Sequence, residues 1–186
     1  MDQPYEGRWS PLAWDSTHTL DSSATDLLLD AARWSPSAGN SQPWSFVTAL
    51  RGEPVHTTLV TTLAPSSRRW APAASLLVVN ICHRFVDGTD WDYSEFAEYD
   101  LGQSVAHMTL QAHAMGLSSR QFRAFDRSAV ESALAVPEHW VAMTMTAIGR
   151  PAPHAPVPQR ARRPLSDLRL TAGATHPTEG PSSTAG

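Results

Sequence analysis

The alternation of apolar and polar positions changes period several times along the chain. Over residues 22–34, Leu27, Leu28, Ala31 and Ala32 recur at helical spacing, with Ser22 or Ser23 placed to cap the start. Pro36 stops that helix, because the residue before a proline avoids the helical region. Trp44–Leu50 alternates directly after Pro43 and predicts a strand. Leu76–Cys82 is a continuous apolar run, as expected of a strand buried on both faces. The longest helix is predicted from Asp100 to about Ala114, with Val105, Met108, Thr109, Ala112 and Met115 sharing a face and Gly116 suited to the position after the C-cap. Asp126 can cap a short helix through Leu134, and Val141–Ile148 reads as a third strand. Residues 1–20 are polar and irregular. Residues 171–186 are rich in Thr, Ser, Pro, Gly and Ala, which predicts a disordered tail behind one folded domain over 1–170. No internal repeat is present. Intermixed helices and strands leave an α+β or α/β layered domain.

Composition narrows the function classes. A chain of 186 residues, 41% hydrophobic and 17% charged, is a soluble globular domain able to fold without staples. A net charge of −4 gives no electrostatic footprint for nucleic acid. All 14 basic residues are arginine, so any cationic anion-binder here is a guanidinium fork. The lone Cys82 excludes an intrachain disulfide and multi-cysteine metal sites, and is expected as a buried thiol at a strand end. Met1-Asp2-Gln3-Pro4 has neither the basic nor the apolar region of a signal peptide, and no apolar run is long enough for a bilayer, so a cytoplasmic protein with no membrane contact is expected. His107 and His113 fall on opposite sides of a helix, no H-E-x-x-H occurs, and the acidic run Asp87–Glu98 lacks the spacing of a calcium loop; no metal is expected. No G-x-G-x-x-G or P-loop supports a Rossmann or nucleotide-triphosphatase reading.

The most informative stretch is Ala32-Arg33-Trp34-Ser35-Pro36-Ser37-Ala38-Gly39-Asn40-Ser41-Gln42-Pro43-Trp44. It joins a helix, a proline stop, a polar loop and a strand start, and Gly39 permits close backbone approach. This run resembles the R-[YW]-[SA]-P-S-x-x-N-x-Q-P-W signature of the nitroreductase family. Three further runs agree in order. Arg8-Trp9-Ser10-Pro11 resembles the family's N-terminal R-x-S segment. Tyr99-Asp100-Leu101-Gly102 through Gly116-Leu117 resembles its central helix. Arg160-Ala161-Arg162-Arg163-Pro164-Leu165 resembles its C-terminal phosphate grip. The resemblance spans residues 8 to about 168.

It implies an α+β fold of three layers, α-β-α, with a mostly antiparallel central sheet, assembled as a homodimer that binds FMN between subunits. It implies cofactor contacts from Arg8, Trp9 and Ser10, from Ser35, Pro36, Ser37, Asn40 and Gln42 in trans, and from Ser67, Gln121, Phe122, Arg160 and Arg162. Two arginines two apart in an extended segment can face one phosphate together, and Arg160 and Arg162 have that spacing. The Ser119–Asp126 run matches the segment whose backbone amides approach flavin N5, assigning the catalytic position to the Arg123 N–H, with Ala124 beside it; an amide there stabilises developing charge. The expected activity is ping-pong: NAD(P)H reduces FMN, which reduces a nitroaromatic, quinone or activated alkene. The alternatives are an FMN-dependent oxidase tailoring a natural product and a non-catalytic flavin-binding protein. Three positions depart from the pattern: Leu12 replaces a basic residue, Ser67 an asparagine, and Arg123-Ala124 the usual pair ending in glycine, where alanine lacks easy access to positive φ.

Overall fold

A computed structural model of the chain describes residues 5–169. The predicted tail 171–186 lies outside them. Four strands, β1 (Trp44–Leu50), β2 (Leu76–His83), β3 (Ser118–Phe122) and β4 (Trp140–Gly149), form one sheet in the order β1-β2-β4-β3, every pair antiparallel. The helices are α1 (Ser22–Arg33), α2 (Pro54–Thr62), α3 (Pro65–Arg68), α4 (Ala97–Ala114) and α5 (Arg127–Ala133). No helix among the described residues is long and apolar enough to cross a membrane.

Period-two patterning on β2 and β4 divides the core into two layers. Leu76, Val78 and Ile148 meet Leu28 and Ala32 of α1 and Met108 and Ala112 of α4 on one face. Leu77, Val79, Met145 and Ala147 meet Leu59 of α2 and Val130 of α5 on the other. The fold is therefore a three-layer α+β sandwich, and the continuous apolar run of β2 is buried on both faces as expected. At its centre the buried Asn80 amide donates to Thr144 and Thr146 hydroxyls at 2.9 Å each, beside a register shift between Asn80 and Ile81.

Local chemistry sets the element ends. The α1 cap is Asp21, not Ser22 or Ser23: its carboxylate accepts from Ala24 N–H at 2.9 Å and also from the Ser23 hydroxyl. Helix α4 starts at Ala97, three residues before the expected Asp100. It ends where Gly116 takes φ +72° and Leu117 N–H returns to the Ala112 carbonyl, as glycine there permits. Asp126 caps α5 through Ala129 N–H. Cys82 is fully buried in β2. Burial, with Glu98 nearby, pushes its thiol up to about 11.

Candidate functional site

The N-terminal arm lies over the second half of α4: a side chain at Gly7 would meet His113. Arg120, on the edge strand β3, holds the arm by donating to the Ser10 carbonyl at 2.8 Å, with its guanidinium over Trp70. The C-terminal arm crosses the same region. Arg160 donates to the backbone carbonyls of Glu6 and Arg8, so it clamps one arm onto the other.

Between these parts lies a groove. One cavity of about 560 Å³ is walled by Arg8 and Ser10 of the arm, Ala106, Thr109 and Leu110 of α4, and Ser119 and Gln121 of β3. Another of about 470 Å³ is walled by Glu6, Val157, Pro158, Arg160 and Arg162, and the two share Tyr5. Arg8 reaches the Ser10 hydroxyl at 3.4 Å. The Gln121 amide donates to Thr109 at 3.0 Å and is fixed against the helix. The groove thus has guanidinium forks at one end and a mixed apolar, hydroxyl and amide wall at the other. That donor set fits an anionic group joined to a flat, partly polar ring.

Arg123 and Ser67 have local partners. The Arg123 guanidinium folds back to the Phe125 carbonyl at 2.9 Å and lies 4.5 Å from the Phe125 ring. Ala124 is not among the residues with positive φ, so alanine in place of glycine carries no backbone strain there. Ser67 is buried and donates its hydroxyl to the Ala64 and Ala124 carbonyls. It fastens the turn after β3 to the start of α3. Phe122 packs edge-on against Trp70. Leu12 is exposed and Trp9 half-buried.

The loop 35–42 sits elsewhere. Ala38 N–H donates at 2.9 Å to Asp100, a buried carboxylate on the first turn of α4 that also accepts from Gln103. Leu110, on the groove wall, is ten residues further along, about 15 Å of helix. Ser35, Ser37, Asn40 and Gln42 line neither cavity. Ser37 accepts from Gln42 N–H at 3.0 Å, and the short turn Ala38–Asn40 leaves Pro36 and the side chains of Asn40 and Gln42 exposed. Gly39, Asn40 and Gln42 take φ of 57°, 56° and 47°. For a glutamine this left-handed backbone is strained. Sequence reasoning missed Arg120 and Asp100 as positioning residues, and Tyr5 and Thr109 as groove walls.

The family model described as nitroreductase family matches residues 6–61, which include both the arm and the strained loop. A solved oxidoreductase containing FMN superposes with a TM-score of 0.84 at 25% identity, covering 95% of this chain and 94% of its own. The first third of this chain matches the nitroreductase family, and its whole fold is similar to that of solved proteins of this type. The family match and the FMN-containing neighbour support an oxidoreductase. A nitroreductase-type protein from Desulfovibrio desulfuricans, solved in complex with FMN, shares the fold at a TM-score of 0.75 and 23% identity, over 93% of this chain and 96% of its own. A 5,6-dimethylbenzimidazole synthase from Rhodospirillum rubrum is 28% identical over 168 residues, covering 77% of this chain and 78% of that protein. The groove between the arms, α4 and β3 is the candidate active site.

Among the described residues one further set of side chains converges. His83, Asp87 and His139 bring ligand atoms within 4.8 Å of one another, although no metal is expected from the sequence.

Proposed function

We propose that this chain is an FMN-dependent oxidoreductase whose groove holds the flavin, with NAD(P)H as electron donor and a small oxidant as acceptor. The observation that carries the reading is the groove's polarity. Arg8 on the wall of one cavity and Arg162 on the wall of the other offer forks to a phosphate dianion, and Ser10, Thr109 and Gln121 offer hydroxyls and an amide to ring heteroatoms beside Ala106 and Leu110. Arg160 acts mainly by positioning, since its guanidinium holds the Arg8 and Glu6 backbone. The loop bearing Ser35, Ser37, Asn40 and Gln42 completes the groove of a second copy, because within one chain it lies at the far end of α4. Bound FMN supplies two-electron transfer from NAD(P)H to a nitroaromatic, quinone or activated alkene. The chain's own contribution is orientation: the turn at Arg123 and Ala124, latched by Ser67, presents backbone amides to the ring, and the paired arms carry guanidinium forks to the phosphate.

Anaerobic mixing of the purified yellow protein with NADPH and with NADH tests this. Rapid bleaching of the flavin band by either nucleotide is expected; a band that persists with both contradicts the reductase reading. The likeness to the 5,6-dimethylbenzimidazole synthase favours a second reading, in which the same groove serves the synthesis of 5,6-dimethylbenzimidazole. Its test is aerobic incubation with chemically reduced FMN and chromatography for 5,6-dimethylbenzimidazole, whose absence rules that product out.

A further inference from the structure

The sheet end opposite the groove carries a cluster that the proposed flavin chemistry does not use. Strand β2 ends on His83, which antiparallel pairing sets against Trp140, the first residue of β4, so His139 is its neighbour in space. The chain then turns back in a short hairpin: Phe85 bridges to Asp92, and Val86 N–H donates to the Trp91 carbonyl at 2.8 Å. Arg84 and Phe85 N–H both donate to the His139 carbonyl, at 2.9 and 3.1 Å, which pins the hairpin to the strand end. Asp87, near the hairpin tip, is thereby carried to both imidazoles. Its Oδ1 lies 3.4 Å from His83 Nε2 and 3.0 Å from His139 Nε2.

These spacings suit a metal. Bonds of about 2.1 Å to a tetrahedral ion separate neighbouring ligand atoms by about 3.4 Å. The His83 ring is already oriented, stacked between Tyr93 at 3.8 Å and Trp140 at 4.4 Å, with interplanar angles of 20° and 9°. Those rings leave Nε2 aimed at Asp87. A cavity of about 430 Å³ opens beside His139, with Asp90 and Glu138 on its wall, leaving room for a water or a further carboxylate. Two imidazoles and one carboxylate with an open position suit a borderline divalent ion and disfavour Mg²⁺ and Ca²⁺, which take oxygen ligands.

We propose that His83, His139 and Asp87 form a divalent transition-metal site, of Zn²⁺ type, that staples the 84–93 hairpin to the ends of β2 and β4. The staple reaches the strained loop, because the Tyr93 hydroxyl donates to the Ser41 carbonyl at 3.2 Å. The site stands independently of the flavin reading. An ordinary hydrogen-bonded triad differs from it in keeping protons on both Nε2 atoms.

Calorimetric titration of untagged protein with Zn²⁺, alongside Mg²⁺, tests the proposal. One equivalent of Zn²⁺ per chain is expected, with no Mg²⁺ binding, and affinity at least about tenfold weaker in Asp87→Asn and in His139→Gln. Both substitutions spare the stacked His83, and circular dichroism verifies that the variants fold. Electron paramagnetic resonance of the wild-type protein with Cu²⁺ gives a readout free of folding effects: superhyperfine coupling to nitrogens of two imidazoles supports the site. Zn²⁺ affinity unchanged in both folded variants, or Cu²⁺ without coupling to two nitrogens, overturns it.

Discussion

Gln42 holds a left-handed backbone at φ 47° between Ser41 and the buried Pro43, and its N–H is tied to the Ser37 hydroxyl. An L side chain in that region costs about 1–2 kcal/mol, so an exposed glutamine is kept there against stability. Gln42→Gly is expected to raise the stability of the apoprotein by about 1 kcal/mol in urea unfolding and to weaken FMN binding, since it relieves the backbone and deletes the amide. Glycine that lowers stability refutes the strain argument. Cys82 gives a second check at the same scale. Burial raises its pKa to about 11, so the reactive thiolate is scarce and inaccessible at pH 8. The native protein should not react with a thiol reagent such as dithionitrobenzoate at that pH, and should release one equivalent once unfolded in guanidinium. These residues differ in how legible they were. The run Ser35–Trp44 points to a special loop, but φ at Gln42 follows from tertiary closure against Asp100. Arg123 and Ser67 were chosen by motif position, whereas their local partners, the Phe125 and Ala124 carbonyls, are set by the packing of the β3–α5 turn on α3.

Helix α4 connects the loop 35–42 with the groove proposed for the flavin. Its first turn holds the loop through Asp100, and its second half walls the groove through Ala106, Thr109 and Leu110. Asp100→Ala leaves the Ala38 N–H without its partner, at a cost of about 1–3 kcal/mol. Urea unfolding should show that loss, and no change in stability would mean that the contact does not hold the loop. Helix α2 carries a pH signature. Burial, with Arg51 in support, holds the His56 imidazole below the ordinary histidine range, and burial does the same to His18. The unfolded chain, at about 6.5, therefore takes up protons that the folded one refuses. Their stabilising effect is full above that pH and falls as pH drops through it. Tm should decline below pH 6.5, and His56→Leu should flatten the decline by removing a buried imidazole whose Nε2 has no partner. A slope unaltered by that substitution contradicts the assignment. Strong periodicity made β1, β2 and α1 readable nearly to the residue. Three elements escaped, the four-residue α3 among them. Six of the nine residues of α2 are β-branched, which hides a helix that Pro54 starts and Leu59 anchors. Strand β3, Ser-Ser-Arg-Gln-Phe, is a polar edge whose pairing with β4 supplies what its pattern lacks.

At the scale of the whole molecule, a single chain presents half of each proposed site: a cationic groove at one end of α4 and an amide-bearing loop at the other. The exposed side of α4 carries Tyr99, Gly102 and Ala106, and Leu27 and Trp34 of the α1 region are also exposed. Such apolar exposure suits a face covered by a second copy. Light scattering should give a dimer; a monomer that binds FMN tightly would contradict the completion of each groove in trans. The sandwich and both arms were legible because four motifs lie in order along the chain. The His83 cluster was not, because its ligands come from a strand end, a hairpin tip and a residue more than fifty positions away. The central claim is that this groove grips a flavin by its phosphate. Fluorescence titration of the apoprotein with FMN and with riboflavin, which lacks the phosphate, tests it most directly. Two charge-assisted hydrogen bonds predict that FMN binds on the order of 100-fold more tightly or better, and that Arg8→Ala with Arg162→Ala removes most of that difference. Equal affinity for the two flavins, or a difference that survives the double substitution, would contradict the account.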